Sequence, residues 1–427
     1  MGKTIYVVDG ARTPFLKAQK GPGPFAASDL ATQAGRALLL RQPFLPSDLD
    51  EVILGCAAPS PDETNIGRMV ALRLGCGKKV PGWTVMRNCA SGMQAIDSAI
   101  ANIQCGRANL VLAGGVDALS RAPLLYSDAM VRWFAGMMGM RTVNQKIGHF
   151  LKLRPAALLS PVIGLMKGLT DPVVGLLMGQ TAENLAWKFG IDRRQMDEFA
   201  VRSHQRASAA RQAGHLAEIV PLVDGDGKVY ADDDGVRADA DLAGMAKPKP
   251  FFDKKYGNIT AANSSQITDG AAWVLLASEE AVQKWGLQPI GKIVDSQWSG
   301  LEPEQMGLGP VHASTPLLQR HGLTLADVDY WELNEAFAAQ VLGCQAAWND
   351  EAYCREQLDL PGAFGQIAED RLNVDGGAVA IGHPVGASGA RIVLHLLHVL
   401  RRNNAKRGVA TICIGGGLGG AMLLEAC

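Results

Sequence analysis

The 427-residue chain lacks several features that mark out large classes of protein. It has 41 Lys and Arg against 42 Asp and Glu, so its net charge gives no global case for binding nucleic acid. Its eight cysteines include no C-x-x-C pair, and neither a zinc site nor a disulfide framework is expected. It also has no run of about 18 apolar residues that would form a membrane-spanning helix.

These absences indicate a reducing compartment in which the cysteines are free thiols. The first residues, TIYVVDG, read as a strand and include no basic-then-apolar leader, so secretion is disfavoured. We therefore expect a cytoplasmic protein of bacterial type with no metal site. The length allows two or three packed domains.

Short apolar strands alternate with amphipathic helices, a pattern typical of an α/β fold with a largely buried sheet. The chain also contains a weak internal duplication. Five segments of the first half recur in the same order in the second: IYVVDGARTPF and IGKIVDSQWSG, DLDEVILG and DVDYWELN, ASG at 90–92 and ASG at 387–389, LVLAGG and ATICIGG, and GAAWVLL and GAMLL. Two copies of one βαβ unit would pack with pseudo-twofold symmetry and meet where the two ASG helices meet.

A long insertion between Gly115 and Gly270 interrupts the first copy. It contains an amphipathic helix predicted over residues 196–214, with Gly214 suited to the C-terminal cap. The aspartate-rich stretch 224–241 does not have the spacing of a calcium loop, and we predict a solvated loop there.

Another stretch of the insertion, residues 129–170, contains no Asp or Glu. Its basic residues lie among many apolar and aromatic ones and are Arg132, Arg141, Lys146, Lys152, Arg154 and Lys167. Such a basic, amphipathic segment fits contact with an anionic membrane surface or with a partner protein. The alternative is a helical hairpin packed over the core, with its charges lining a site for an anionic ligand.

Cys89 lies on a glycine-lined turn, NCASG, between a strand predicted at 83–86 and a helix predicted at 93–103. Unpaired N–H groups and partial positive charge at a helix N-terminus stabilise a thiolate. A cysteine there can attack a thioester or ketone carbon, and its own N–H can help to bind the oxyanion. The alternative is a small buried residue, which is the commonest fate of a cysteine.

Two further glycine-rich turns carry His383 and Cys413. His383 can serve as general base for the thiol or donate to a developing enolate, whereas a lone histidine is more usually structural. Cys413 ends the strand ATIC and could move a proton to carbon, with the Gly415 amide free to face an oxyanion. Asn334 follows a strand, and it either caps the next helix or holds a water. Two cysteines and a histidine on such turns suit acyl chemistry at a thioester.

Four blocks of the sequence, NCASGMQA, LNEAFAAQ, NVDGGAVAIGHPVGASGAR and CIGGGLGGAM, together resemble the signature blocks of the thiolases. The resemblance runs from Thr4 to Glu425 and also includes ARTPF, AGGVDALSRAP, MGQTAENLA and TAANSSQITDGAA. It implies the thiolase fold: two similar α/β halves based on βαβαβ, stacked in five helix–sheet–helix–sheet–helix layers. The implied limits are 1–121 with 250–286 for the first half, 122–249 for an inserted helical loop domain, and 287–427 for the second half.

The resemblance also implies roles for individual residues. Cys89 resembles the nucleophile that takes up the acyl group, and His383 the residue that activates it and helps to bind the thioester oxygen of acetyl-CoA. Cys413 is similar to the acid/base that moves a proton at the α-carbon. Asn334 resembles the asparagine that holds a water in the same oxyanion hole as His383. The amides of Cys89 and Gly415 resemble the second hole, which serves the acyl-enzyme step.

The resemblance extends to substrate contacts. Ser265 matches the serine that touches the pantetheine arm of coenzyme A, while Gln266 stands where glycine is usual. Met178 lies in the loop block beside the substrate, and Leu177 precedes it where acetoacetyl-specific members typically have histidine. This departure favours longer or broader acyl chains.

The implied reaction is the reversible, CoA-dependent cleavage of a 3-ketoacyl-CoA to acetyl-CoA and a shortened acyl-CoA in fatty-acid β-oxidation. Coenzyme A is a substrate, and no tightly bound cofactor is needed. Similarity to β-subunits of fatty-acid-oxidation complexes implies a homodimer or tetramer, an α-subunit partner and peripheral membrane contact through residues 129–170. Alternatives are a biosynthetic, acetoacetyl-CoA-forming thiolase, a ketoacyl synthase, or a non-catalytic carrier of CoA esters or lipids. Cys413 argues against the synthase, which uses a second histidine.

Overall fold

The fold is that of a computed structural model, which describes residues 3–18, 21–153, 155–158 and 160–427. Its strands are β1 (Ile5–Arg12), β2 (Leu16–Lys17), β3 (Glu51–Gly55), β4 (Gly82–Val85), β5 (Leu110–Ala118), β6 (Leu124–Leu125), β7 (Val162–Ile163), β8 (Leu222–Val223), β9 (Val229–Tyr230), β10 (Thr268–Ser278), β11 (Gly291–Gly300), β12 (Tyr330–Leu333), β13 (Arg407–Ile414) and β14 (Leu418–Ala426). Ten of these strands form one mixed sheet in the order β12–β13–β14–β11–β1–β10–β5–β3–β4, with β2 beside β10.

The α-helices lie between and around these strands. They are α1 (Ala27–Leu40), α2 (Ile66–Arg73), α3 (Ser91–Gln104), α4 (Asp128–Met138), α5 (Val143–Phe150), α6 (Pro155–Leu158), α7 (Gly164–Gly168), α8 (Met178–Lys188), α9 (Arg193–Gln212), α10 (Leu242–Met245), α11 (Glu279–Trp285), α12 (Gly309–Arg320), α13 (Ala338–Asn349), α14 (Glu351–Leu358), α15 (Ala378–Ile381) and α16 (Val385–Arg402). Among the described residues, no helix is long and apolar enough to cross a bilayer.

The sheet has two halves joined by a short ladder between β1 and β11, which pair over three residues. Helices α3 and α16 contact each other, and α16 also contacts strands of both halves. On the outer faces, α1 packs on β10 and α12 packs on β14. Separate apolar clusters fill the space around the central helices and beneath each outer helix layer. This arrangement of helix and sheet layers confirms the predicted fold class.

The internal duplication is visible in matching backbone irregularities. The pairing register of β1 shifts just before Asp9, and that of β11 shifts just before Asp295. Each aspartate accepts a hydrogen bond from the next backbone amide and from an outer-helix arginine: Arg41 Nε at 2.6 Å and Arg320 Nε at 2.8 Å. A β-bulge re-aims a strand and increases its twist, so both halves turn at the same place.

The two ASG helices meet at the centre of the molecule, as the duplication predicts. A Cβ added to Gly92 would lie 2.8 Å from the Gly386 carbonyl oxygen, and one added to Gly389 would lie 2.7 Å from the Met93 nitrogen. Both positions therefore need glycine for the helices to approach this closely. Helix α16 begins at Val385, with Pro384 as its N-cap.

The inserted region is tied to the rest of the chain by buried charges. Its helix α9 starts with a capping box in which Asp192 accepts from the Gln195 amide. The prediction of a solvated loop over 224–241 is wrong at Asp233, which is 6% exposed. The Asp233 carboxylate accepts two hydrogen bonds from Arg12, at 2.7 and 2.8 Å, because the aspartate neutralises a buried guanidinium of β1.

Residues 129–170 form short helices that pack mainly on one another. The Trp133 indole stacks on the His149 ring of the next helix, with centroids 5.3 Å apart, and Trp133 Nε1 donates to the His149 carbonyl oxygen. The predicted Arg154 lies outside the described residues. The other five basic residues of the segment are not in the wall of the large cavity described below. The alternative in which these charges line an anionic-ligand site stays a prediction.

Candidate active site

Cys89 lies in a single 3-10 turn, Asn88–Ala90, between β4 and α3. Asn88 has a left-handed backbone, with φ of 44°, which asparagine tolerates better than most residues. Its side-chain Nδ2 donates to the Gly415 carbonyl oxygen at 2.8 Å. The turn is closed by Ser91, whose hydroxyl accepts from the Arg87 amide. These contacts fix the position of the thiol against the glycine turn after β13.

His383 lies on the turn between α15 and α16. Gly382 has φ of 99°, and a Cβ there would collide with Thr268, so the turn requires glycine. The His383 amide donates to the Gln266 carbonyl oxygen at 2.9 Å, and its ring Nδ1 is 2.6 Å from Ser388 Oγ.

The hydrogen bonds of Ser388 determine the tautomer of His383. The Ser388 hydroxyl has one proton, and it donates that proton to the Pro384 carbonyl oxygen at 3.1 Å. Nδ1 of His383 is then the donor to Ser388 Oγ, which leaves a lone pair on Nε2. Nε2 is buried and has no hydrogen-bond partner among the described residues. The imidazole is therefore oriented to accept a proton at Nε2.

One cavity of about 570 Å³ brings the three predicted residues together. Cys89, His383 and Cys413 all belong to its wall, and so do Ser265 and Met178. The remaining wall is largely apolar and includes Leu119, Leu169, Leu177, Phe251, Phe252 and Phe337, with the cationic residues Lys17 and Arg237. A cavity of this size with few polar groups is typical of a site for an extended organic ligand.

Two predicted site residues are not in the cavity wall, Asn334 and Gly415. The Gly415 amide instead acts on Cys89, where it lowers the pKa of the thiol. Asn334 is fully buried, and neither of its side-chain polar atoms has a partner among the described residues. The helix-cap interpretation of Asn334 is wrong, since α13 begins at Ala338 with Phe337 as its N-cap. A buried amide without partners suits a bound water, because leaving it unpaired is costly.

Burial decides the ionisation of the reactive groups. It raises the pKa of the Cys89 thiol, and the hydrogen bonds from the Gly415 and Cys89 amides only partly lower it. The amides at the helix terminus therefore act in the expected direction, and burial opposes them. Burial also raises the pKa of Cys413 well above its usual value, and lowers the pKa of His383 to about 4. At neutral pH the site holds two thiols and a neutral imidazole, so Nε2 has a lone pair that can accept a proton.

Three supporting residues were missed by sequence reasoning: Asn88, Ser388 and Asp117. Asp117 is fully buried at the end of β5, and burial raises the pKa of its carboxyl group to about 6. Its carboxylate accepts from the Gly386 amide at 2.5 Å, which holds the first turn of α16 beside the first half. All three lie within the quoted blocks, but only the folded chain shows what they contact.

Among the described residues, no group of three or more His, Cys, Asp or Glu side chains is placed to hold a metal ion. All eight cysteines are free.

The chain also matches known protein families. The chain matches the model for the thiolase N-terminal domain over residues 5–280 and that for the thiolase C-terminal domain over residues 287–426. The chain belongs to the thiolase family, and its class of activity is acyl transfer. This agrees with the resemblance of the four sequence blocks.

Curated relatives share its full length. A 3-ketoacyl-CoA thiolase of Yersinia enterocolitica is 36% identical over 433 residues, which cover 99% of this chain and 97% of the relative. A 3-ketoacyl-CoA thiolase of Salmonella typhimurium is 36% identical, covering 100% of this chain and 97% of the relative.

Solved structures have the same fold. Human mitochondrial 3-ketoacyl-CoA thiolase in complex with CoA superposes with a TM-score of 0.85 at 36% identity, covering 100% of this chain and 98% of the other. Acetyl-CoA acetyltransferase of Bacillus anthracis superposes with a TM-score of 0.84 at 34% identity, covering 100% and 99%.

Proposed function

We propose that this chain is a 3-ketoacyl-CoA thiolase. It cleaves 3-ketoacyl-CoA with free coenzyme A, giving acetyl-CoA and an acyl-CoA two carbons shorter, and it can run the reverse Claisen condensation. The observation that carries the proposal is that Cys89, His383 and Cys413 line one largely apolar cavity. Coenzyme A acts as a substrate, as in the human relative whose structure contains CoA.

In the proposed first step, Nε2 of His383 takes the proton of the Cys89 thiol, and the sulfur attacks the 3-keto carbon. The Cα–Cβ bond then breaks, so the acyl group stays on Cys89 and acetyl-CoA leaves as an enolate. Cys413 donates its proton to the α-carbon of that enolate. Its raised pKa suits this role, because it keeps the thiol protonated until the carbanion forms.

In the second step, the Cys413 thiolate takes the proton of the coenzyme A thiol, whose sulfur attacks the acyl-Cys89 thioester. Cys89 leaves as the thiolate and regains its proton from Nε2 of His383. The amides of Cys89 and Gly415 bind the oxyanion of the acyl-enzyme step, since both amides already lower the pKa of the Cys89 thiol. Nε2 of His383, once protonated, and a water held by Asn334 form the hole for the enolate oxygen. The two unpartnered polar atoms of Asn334 support the bound water.

The coenzyme A arm is proposed to enter past Ser265 and Met178, which belong to the cavity wall. Lys17 and Arg237 belong to the same wall and are exposed, so they suit the phosphates of a nucleotide carrier. Leu177, in place of a histidine, and the apolar wall support acyl chains longer than acetoacetyl. A degradative role in fatty-acid β-oxidation is therefore favoured over acetoacetyl-CoA synthesis.

Finer parts of the proposal concern organisation. We propose halves at 1–121 with 250–286 and at 287–427, a loop domain at 122–249, a homodimer or tetramer, and a cytoplasmic location in a bacterial cell. An α-subunit with hydratase and dehydrogenase activity is the proposed β-oxidation partner. Light scattering of the purified chain and co-purification from cells grown on fatty acid test the assembly; a stable monomer that binds no such subunit contradicts it.

Substrate length is tested by thiolysis of 3-ketoacyl-CoA esters of graded chain length. We expect kcat/KM to rise from the four-carbon ester towards longer esters, since each added methylene enters an apolar wall. Highest activity on acetoacetyl-CoA would instead support the biosynthetic alternative.

The nucleophile is tested by Cys89→Ser. We expect turnover to fall by roughly 10⁴-fold, because the group that carries the acyl chain is lost. Binding of coenzyme A, followed by calorimetry, should stay within about twofold. Cys105→Ser is the matched control, since Cys105 is an exposed thiol outside the cavity. Undiminished turnover in Cys89→Ser contradicts the mechanism.

A further inference from the structure

Residues 233–237 form a strap whose last residue, Arg237, belongs to the cavity wall. The first part of the strap is held by the chain around β2. Asp233 accepts a hydrogen bond from the Phe15 amide at 2.7 Å, and Asp234 accepts one from the Lys17 amide at 2.6 Å. Lys17 belongs to the cavity wall as well. The strap therefore joins the two segments that bring cations to the cavity.

Gln266 holds the middle of this strap. Its side-chain Nε2 donates to the Gly235 carbonyl oxygen at 3.0 Å. A Cβ on Gly235 would lie 2.8 Å from the Ala380 carbonyl oxygen and 3.1 Å from the Gln266 side-chain amide, so the strap passes closely between the two. The backbone carbonyl of Gln266 accepts from the His383 amide at 2.9 Å. One residue thus contacts both the strap and the turn that carries the proposed base.

The Gln266 side chain is not arranged for stability alone. Its Oε1 is buried and has no hydrogen-bond partner among the described residues. An unpaired buried acceptor is unfavourable, and the glycine that is usual at this position would bury no polar side chain. What the glutamine adds is the bond from Nε2 to Gly235, and that bond acts on the strap.

A buried histidine holds the end of the strap. The Arg237 amide donates to Nδ1 of His204 at 3.2 Å, and burial lowers the pKa of His204 to about 4, so the imidazole is neutral. A neutral imidazole that accepts at Nδ1 carries its proton on Nε2. Nε2 lies 3.0 Å from a guanidinium nitrogen of Arg237, so two donors face each other. His204 therefore fixes the Arg237 backbone without satisfying its charged group.

The two cations of this wall have no counter-charge from the protein. Lys17 and Arg237 form no ion pair with any carboxylate in the part of the chain that the structure describes. The described wall of the cavity includes no Asp or Glu. Unpaired cations at the wall of an organic-ligand site suit an anionic group of that ligand.

We propose that Gln266 is a positioning residue for the nucleotide end of coenzyme A. Its bond to Gly235 fixes the strap, and the strap aims the Arg237 guanidinium at a phosphate of the nucleotide. This inference rests on the proposed function, in which coenzyme A is a substrate. The side chain acts on binding and not on the chemical step, because a backbone carbonyl that any residue supplies makes the contact to His383.

The experiment compares coenzyme A binding, by calorimetry, with steady-state thiolysis. Gln266→Met keeps the length of the side chain but cannot donate to Gly235. We expect the Kd for coenzyme A to rise about fivefold, the contribution of one ordinary hydrogen bond, and KM to rise with it. The kcat should stay within about twofold. Gln266→Gly should give the same result without a methionine in the wall, and an unchanged Kd in both variants overturns the proposal.

A double-mutant cycle with Arg237→Ala tests the route of the effect. Arg237→Ala should raise the Kd by about tenfold or more, since it removes a charge-assisted contact to phosphate. In that background Gln266→Met should add less than about twofold, because the strap then has no cation to place. Additive losses would overturn the proposal. So would an equal loss with pantetheine as the thiol, since pantetheine lacks the nucleotide and its phosphates.

Gln345→Met is the matched control. Gln345 is also partly buried and its Nε2 donates to the Ile367 carbonyl oxygen at 2.8 Å, but it lies outside the cavity wall. This variant should bind coenzyme A within about twofold of the wild type, and an equal loss would contradict a specific role for Gln266. A wild-type chain that binds coenzyme A without thiolysis refutes the proposed function alone. Unchanged Gln266 variants of an active enzyme refute only the positioning role.

Discussion

The two halves of the molecule have the same backbone plan but different side chains at matching places. Counting five residues from the paired glycines, Asp97 on α3 matches Leu394 on α16. Asp97 accepts a hydrogen bond from Ser296 Oγ at 2.5 Å, whereas Leu394 packs against Gly10, the residue that matches Ser296. One contact is polar and the other apolar, although both join a central helix to the strand of the opposite half. Duplication therefore preserved the way in which each central helix crosses the strand of the opposite half. It did not preserve the polarity of the contact between them.

The same divergence distributes the proposed catalytic groups. The turn before α3 in the first half supplies Cys89, while the turn before α16 and the end of β13 in the second half supply His383 and Cys413. The first half supplies the proposed nucleophilic thiol and the second half supplies the base proposed to activate it. The pseudo-symmetry places the N-termini of the two central helices side by side, and the reaction uses what differs between them.

The largest expected effect comes from removing the base of the second half. His383→Asn should lower kcat/KM by about 10²–10⁴-fold, because the thiol then has no proton acceptor. Since the pKa of His383 is about 4, the wild-type imidazole is neutral above that pH. The acid limb of kcat/KM should therefore lie near pH 4 and not near 6.5.

His321→Asn is the control, an exposed second-half histidine outside the cavity wall, and it should retain activity. An acid limb near pH 6.5 in the wild type would show that His383 is not the buried, neutral base described above.

The residues six positions after the paired glycines also differ between the halves, and the difference affects stability. His395 on α16 lies between Glu218 at 2.9 Å and Asp375 at 3.1 Å, all buried, whereas the matching Ser98 on α3 only accepts from Gln94. His395→Gln should lower the free energy of unfolding by up to about 3–5 kcal/mol. It removes the positive charge between two buried carboxylates, which keep only Arg12 and, on Asp375, Arg402 and His215 as partners. Ser98→Ala should cost about 0.5 kcal/mol or less. Urea unfolding measures both.

The pH dependence of the free energy of unfolding gives a second test of the charge on His395. Although burial opposes it, the surrounding carboxylates raise the pKa of His395 to about 10, above its ordinary 6.5. The folded protein then holds a proton that the unfolded chain releases, so this contribution is full below pH 6.5 and is lost as pH rises towards 10. The stability difference between wild type and His395→Gln should shrink over that window. A constant difference would mean that His395 is neutral when folded.

A smaller effect tests the symmetry of the helix contact. Gly92→Ala and Gly389→Ala should each lower the free energy of unfolding by about 1–3 kcal/mol, since the new methyl meets backbone of the other helix. Gly300→Ala is the control, because a Cβ there meets no atom within 4 Å. Thermal unfolding of the three variants gives the comparison. A tolerated change at one glycine only would show that the two helices contribute unequally to the crossing.

The smallest effect should be equal in both halves. Arg41→Ala and Arg320→Ala each remove a partly exposed arginine from the aspartate at a β-bulge. Each should cost about 0.2–1 kcal/mol, reduced by salt, because exposed ion pairs are screened. Unequal losses, measured by urea unfolding, would mean that one bulge depends on its ion pair and the other does not.

Sequence reasoning predicted the repeat and the glycine-lined turns, because local patterns record them, and three of the residues on those turns line one cavity. The apolar strands, the ASG segments and the glycines at strained turns each follow from short-range rules. It failed where a distant partner decides the outcome. Asp233 reads as one of several solvated aspartates, and only the fold places it against Arg12, more than 200 residues away.

The sequence by itself determined the α/β class, the two copies and the family, since these depend on residue order and on local backbone chemistry. Only the tertiary structure decided the ionisation of the site and the direction in which the segment 129–170 faces. From the sequence, a thiol beside a helix terminus is expected to have a lowered pKa, but burial raises the pKa of Cys89 more than the two amides lower it. Likewise, an amphipathic pattern does not state which face the fold will cover, and here the apolar face is left to solvent.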